Sequence, residues 1–249
     1  MKIWTTLGSE FGPDLAGKKP LVVRALYVLN YAGASLINHL AESMINLGYS
    51  SCLADPDLWL REETRSSDGD KYYAYFLLYV EYCPEIHYAA DTAMHELDNL
   101  FKMKAGSIGD PKMYLGPKLR KVVLENGVET WGTSASKYVQ EAVSNSEAYL
   151  HENFWGQKFA KKVNNPFKSE YDPLIYSSAE LGPIFLNYYQ TQIGVLRWMA
   201  ELGRIDIITE VSMLASQLAL PREVHLDAVF HILGYLKGHQ NTRMVFDPT

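Results

Sequence analysis

Residues 72–87 read YYAYFLLYVEYCPEIH, an apolar strand that runs into a tight turn and returns as a second extended segment. A corner of this kind needs neighbouring strands on its edges and apolar cover on one face. The chain around it supplies both. Upstream, Ser35 stands where a cap would precede a helix whose Leu36, Ile37, Leu40, Met44 and Leu47 recur at helical spacing, with Gly48 to close it. The stretch ADPDLWLREETRSSDGD at 54–70 is turn-rich and then charged, and reads as a surface connection. Downstream, Asp91 is placed to start a helix with Ala93, Met94, Leu97, Leu100 and Phe101 as its buried stripe. A strand over 113–123 and another over 130–132 flank Glu125-Asn126-Gly127, whose Asn-Gly is a strong hairpin signal. The order helix, strand, strand, helix, strand, strand predicts an α+β fold: an antiparallel sheet covered on one face by helices.

Beyond residue 133 the pattern turns mainly helical. Ser136 heads a helix with Tyr138, Val139, Ala142, Val143 and Tyr149 on its apolar side, and a Lys-rich loop with Pro166 and Pro173 follows. Three more helices are expected: 188–201, 207–220 behind Asp206, and one with Pro221 near its first turn that ends around Gly238. The chain therefore divides into an irregular lead-in at 1–23, an α+β region at 24–133 and a mainly helical region at 134–249.

Composition narrows the function classes. The formal net charge of −6 over 249 residues argues against a protein that coats nucleic acid over its whole surface. Charge is nevertheless uneven: from 102 to 121 six basic residues (Lys102, Lys104, Lys112, Lys118, Arg120, Lys121) face the single acid Asp110, and 157–168 holds four Lys and no acid. Such runs are solvated faces unless other features point to nucleic acid. The two cysteines, Cys52 and Cys83, have no metal-ligand spacing and are expected to be reduced packing residues. With no apolar run of membrane length and no apolar leader, the expected location is intracellular, cytoplasmic or nuclear. Asp55 and Asp57 flank Pro56 and read as a turn rather than a metal pair, and the run from Gly106 to Asp110 lacks the Gly-Lys-Ser/Thr of a phosphate loop.

Several blocks together resemble the reverse transcriptase domain of copia-type retrotransposon polyproteins. They are RALYVLNYAGASLINHLAESMINLGYSSCLADPDLWLR, YYAYFLLYVEY, FKMKAGSIGDPKMYLGPKL, GVETWGTSASKYVQEAV, YYQTQIGVLRWMAELGRIDIITEVSMLASQLALP and HLDAVFHILGYLKG, in the order and spacing of that family. The resemblance implies a right-hand polymerase: a palm up to roughly residue 130, then a thumb and the start of the connecting region. It implies RNA template and RNA–DNA duplex as partners, and Mg2+ held by aspartates, because two-metal phosphoryl transfer needs hard, short oxygen ligands.

The same resemblance marks what is altered. The family's Tyr-x-Asp-Asp tip reads here Tyr79-Val80-Glu81-Tyr82, so one acid is a methylene longer and the other is a phenol, neutral at pH 7. A further family aspartate is expected on a strand preceding the segment with which this sequence opens. In the nucleotide pocket Val28 stands where the family has Gly, and Asn30 where a Lys lies close by. Tyr114, Leu115 and Gly116 take the primer-grip position, with Pro117 interrupting its strand, while Lys102, Lys104, Lys118 and Lys121 fall where duplex phosphates would be met. Pro84 removes a ladder donor from the returning strand, and Glu85 puts charge in a normally apolar place. The expectation is an inactive polymerase domain without productive Mg2+ binding, in which Glu81 is the one candidate metal ligand. Two other readings compete with it: a non-catalytic nucleic-acid-binding module using the basic segments, and a remnant with no current role.

Overall fold

The computed structural model describes residues 3–22, 32–79, 83–154, 158–159, 163–167 and 178–247. The chain divides into two compact units, Met1–Asp110 and Pro111–Thr249. Both are built from antiparallel strands and helices, so the fold is α+β, with six α-helices among the described residues. The hairpin at 118–134 lies in the second unit with the helices.

In the first unit a short pair, β1 (Ile3–Trp4) with β2 (Leu21–Val22), lies in the segment read as an irregular lead-in. Helix α1 (Ala32–Asn46) starts a turn before Ser35 and is closed by Gly48 at φ +84°. Leu40 and Met44 of its apolar stripe are buried, whereas Leu36 and Ile37 near its start are exposed. A four-stranded antiparallel sheet follows in the order β3 (Ser50–Ser51), β4 (Leu58–Thr64), β5 (Lys71–Leu77), β6 (Glu85–Ile86). Helix α2 (Ala90–Leu100) buries Ala93 and Leu97, and Leu97 joins Leu40, Met44, Tyr49, Trp59, Ala74, Phe76 and Leu78 in one core. Alternation explains β5: Tyr72, Ala74 and Phe76 face the helices, while Lys71, Tyr73 and Tyr75 face the other way.

Strand β4 corrects the reading of 54–70 as a surface connection. Its alternation is hidden because charged residues occupy the inward positions: Arg61 and Glu63 lie on the same face as buried Trp59, where apolar side chains would be expected. The turn before it is as read: Asp57 N–H donates to Asp55 Oδ1 at 3.1 Å, and Leu58 N–H to the Asp55 carbonyl at 3.0 Å. The β4–β5 hairpin closes through Arg65, which donates from its backbone to the Asp70 carbonyl at 2.8 Å and from its guanidinium to Asp68 and Asp70.

In the second unit β7 (Lys118–Val123) and β8 (Glu129–Ser134) form the hairpin expected from Asn126-Gly127. Gly127 takes φ +82°, and Asn126 Oδ1 accepts from Val128 N–H at 3.0 Å. The strand expected over 113–123 is broken near its start. Met113 bridges Lys118 across a two-residue turn in which Leu115 (φ +51°) and Gly116 (φ +109°) are both left-handed, and Tyr114 N–H donates to the Pro117 carbonyl at 3.0 Å. Pro117 has no N–H to pair, so the reversal falls immediately before it.

The helices are α3 (Ser136–Asn153), α4 (Pro183–Glu201), α5 (Ile208–Ala215) and α6 (Glu223–Gly238), with one 3-10 turn at Ile205–Ile207 before α5. Helix α4 starts five residues before the expected Tyr188, because Pro183 at its first turn is pre-set for helix entry. Helix α5 is shorter than the expected 207–220. Val139, Val143, Ile193, Leu196, Val229, Ile232, Leu233 and Leu236 form the centre of the core, each at most 2% exposed. Strand β9 (Met244–Val245) returns to pair with Gly132 and Thr133 of β8. A Cβ on Gly132 would lie 3.1 Å from Val122 Cγ2 and 3.3 Å from the Met244 carbonyl, so this crossing favours glycine.

Candidate functional site

Strands β5 and β6 lie on either side of residues 80–82, which fall outside the described residues. Leu77 N–H donates to the Pro84 carbonyl at 3.0 Å, and Leu78 N–H donates to the Asp57 carbonyl at 2.8 Å, which fixes the base of the turn on both sides. Pro84 thus keeps its acceptor in the ladder although it lacks the donor. Tyr79 lies at the outgoing end, exposed. Glu81 and Tyr82 lie outside the described residues, as do Val28 and Asn30. Cys83 is half-buried, and burial pushes its thiol up from the ordinary value.

Beneath the corner lies a polar cluster that the sequence reading did not anticipate. Register places Trp59, Phe76 and Glu85 in one cross-strand row, so Glu85 is turned toward the helices, behind fully buried Phe76. Tyr49, just after α1, donates its hydroxyl to Glu85 Oε1 at 3.4 Å and meets Phe76 edge to face with ring centres 5.1 Å apart. Arg61 lies over the Tyr49 ring at 4.4 Å, donates to the Leu47 carbonyl at 2.8 Å, and pairs with Glu63 and with Glu96 of α2. Among the described residues Glu85 Oε2 is buried with no hydrogen-bond partner. Desolvation accordingly raises the Glu85 carboxyl to about 7, against the lowering influence of Tyr49 and Arg61, while Glu96 and Glu63 raise it further. Tyr49 is raised as well, first by burial and then by Glu85.

His87, just past β6, completes the layer. Its Nδ1 accepts the Ala89 N–H at 2.7 Å, and its Nε2 lies 3.3 Å from the Tyr72 hydroxyl and 3.9 Å from Glu63 Oε1. The sequence signal for this cluster was available in one respect. Arg61 and Glu63 follow Trp59 at intervals of two, so a strand through 58–64 would have put both on the face of that apolar residue.

The remaining candidates are distributed between the units. Lys102 and Lys104 follow α2 in the first unit and are exposed; Lys118 and Lys121 lie on β7 in the second. Three residues apart on a strand, Lys118 and Lys121 point to opposite faces. Lys118 shares its face with Arg120, whereas Lys121 pairs with Glu129 at 3.6 Å and lies 5.7 Å from the Trp131 ring centre. Tyr114, Leu115 and Gly116 form the left-handed turn already described, with Tyr114 and Leu115 half-buried. Among the described residues no three His, Cys, Asp or Glu side chains are grouped to hold a metal ion, and no helix is long and apolar enough to cross a membrane. Glu85, the acid described on the returning arm, faces inward to Tyr49.

Comparison with known proteins gives one sequence relative. The chain is 28% identical over 223 residues to the transposon Ty5-1 protein YCL074W of Saccharomyces cerevisiae strain S288c, an alignment that takes in 85% of this chain. It spans 62% of that protein's length. No family model matches the chain, and no solved structure matches it significantly. At this level of identity, spread over most of the sequence, the chain is related to a retrotransposon protein.

Proposed function

We propose that this chain is a reverse transcriptase domain of a copia-type retrotransposon polyprotein that has lost nucleotidyl transfer. In this reading residues 24–133 correspond to the palm and 134–249 to the thumb and the start of the connection. What supports it is an antiparallel sheet in which β5 and β6 pair on either side of residues 80–82, in a chain similar to a transposon Ty5-1 protein. Tyr79, Glu81 and Tyr82 occupy the tip, Val28 and Asn30 the nucleotide pocket, and Tyr114, Leu115 and Gly116 the primer grip. Two-metal transfer needs at least two short carboxylates converging on the ions, and Glu81 beside Tyr82 supplies one long one. Mg2+, the ion of the resembled family, is therefore not held productively.

The purified chain, given an oligo(dT)-primed poly(rA) template with Mg2+ or Mn2+, is expected to incorporate no nucleotide above a protein-free control. Incorporation that rises with protein concentration would overturn the loss of activity.

A second reading, a nucleic-acid-binding module without catalysis, is favoured by the exposed pair Lys118 and Arg120 on one face of β7. It predicts binding of RNA–DNA duplex with Kd of roughly micromolar order at low salt, weakening steeply as salt rises. Lys118→Ala should weaken the binding and flatten its salt dependence. Lys102 and Lys104 would add phosphate contacts from the first unit. A flat fluorescence-anisotropy titration at low salt removes this reading.

A further inference from the structure

We propose that Glu85 is a proton-operated latch that holds the returning arm of the corner, β6, closed against the core while its carboxyl is protonated, and releases that arm when it ionises. Geometry carries the argument. An ionised carboxylate seeks donors for two oxygens, and among the described residues Oε1 receives a single long bond from Tyr49 while Oε2 is buried with none. A protonated acid carries no charge, so its burial in the apolar row formed with Phe76 and Trp59 costs far less.

The charges around it point the same way. Among the described residues, the titratable and charged groups turned to this layer are Tyr49 after α1, Arg61 and Glu63 of β4, Tyr72 of β5, Glu96 of α2, and Cys83 and His87 flanking β6. Arg61 is the one cation of fixed charge among them, and it is already paired with Glu63 and Glu96. A third negative charge at Glu85 would leave the layer with excess anion and little water to screen it.

The mechanical consequence follows from how short β6 is. It consists of Glu85 and Ile86, and its pairing with β5 runs through Phe76 and Tyr75. On the inner face the arm rests on Glu85 and Cys83, with His87 beside Tyr72, while Ile86 is exposed and adds nothing there. Ionisation of Glu85 sets a charge against one of these few attachments and loosens the arm. The sign is that of an acid raised on folding: its stabilising contribution is complete below the ordinary carboxylate range and is lost as pH rises through about 7. This latch does not depend on whether the tip once bound metal.

The test uses the whole chain. Hydrogen exchange of the Leu77 amide, which donates to Pro84, reports closure of the arm, read as a protection factor corrected for intrinsic exchange. Between pH 6 and 8 the protection is expected to fall about tenfold in the wild type and to stay level in Glu85→Gln, which mimics the neutral acid. Side-chain carboxyl NMR of the wild type supplies a readout that needs no variant, with Glu85 expected to titrate with a midpoint near 7. A midpoint among ordinary carboxylates, or an undiminished pH response in Glu85→Gln, would overturn the latch.

Discussion

Replacing Arg204 by alanine lowers the stability of the second unit by about 3–5 kcal/mol, the cost of removing one partner from a buried ion pair. Arg204 is 1% exposed. Its Nε and Nη2 donate to the two oxygens of Asp206 at 2.9 and 2.7 Å, and Nη1 donates to the His239 carbonyl at 3.1 Å. Tyr235 adds a bond to Asp206 Oδ2 at 2.9 Å. Burial alone would raise the Asp206 carboxyl, but Arg204 and Tyr235 hold it below the usual carboxylate range. Without the guanidinium, a half-buried carboxylate loses its cation and the end of α6 loses a donor at His239. Arg204→Lys is expected to recover only part of the loss, since an ammonium cannot span both carboxylate oxygens. Urea unfolding followed by exchange of α6 amides measures the effect, and a loss below about 1 kcal/mol would show that the fork is not what anchors this region.

Phe76→Ala should destabilise the first unit by about 3–5 kcal/mol, the range for truncating a fully buried phenylalanine. Phe76 is fully buried at the centre of the four-stranded sheet, opposite Trp59 on one side and Glu85 on the other, and it receives the edge of Tyr49. Truncation would open a cavity directly under the corner and remove the surface against which the Glu85 side chain lies. Because the chain has two units, the loss should appear in exchange of the Leu77 and Leu78 amides and leave α6 protection unchanged. Equal loss in both units would contradict that separation.

The helical elements were legible because their chemistry is periodic. Val139, Ala142 and Val143 are buried as their spacing requires, as are Ala93 and Leu97 on α2, and the Asn126-Gly127 turn closes the β7–β8 hairpin in the expected place. Residues that obey no pattern were not. Arg61 and Glu63 occupy inward strand positions and conceal β4: they pair with each other, and Arg61 also reaches partners distant in sequence, the Leu47 carbonyl and Glu96. Arg204 and His225 are charged or polar in type yet almost fully buried, and what makes this tolerable is a set of bonds that only the folded chain assembles. Glu85 was read as a charge in an apolar place; its position was legible, but its partner Tyr49 was not. The left-handed Leu115 interrupts an apparent strand at a residue that rarely adopts φ +51°, so no residue preference announces it.

Strand β9 gives the second unit a dependence on the order of its own synthesis. Met244 and Val245 pair with residues more than a hundred positions upstream, and Phe246 N–H donates to the Trp131 carbonyl at 2.9 Å. A ribosome that has delivered the β7–β8 hairpin leaves the outer edge of β8 bare until the whole helical stretch has emerged. The sheet and helices of the first unit, completed by α2, wait on nothing so remote. The nascent chain thus carries one unit able to mature early and another whose final closure is slow and exposed to wrong partners, which is where chaperone binding would be concentrated.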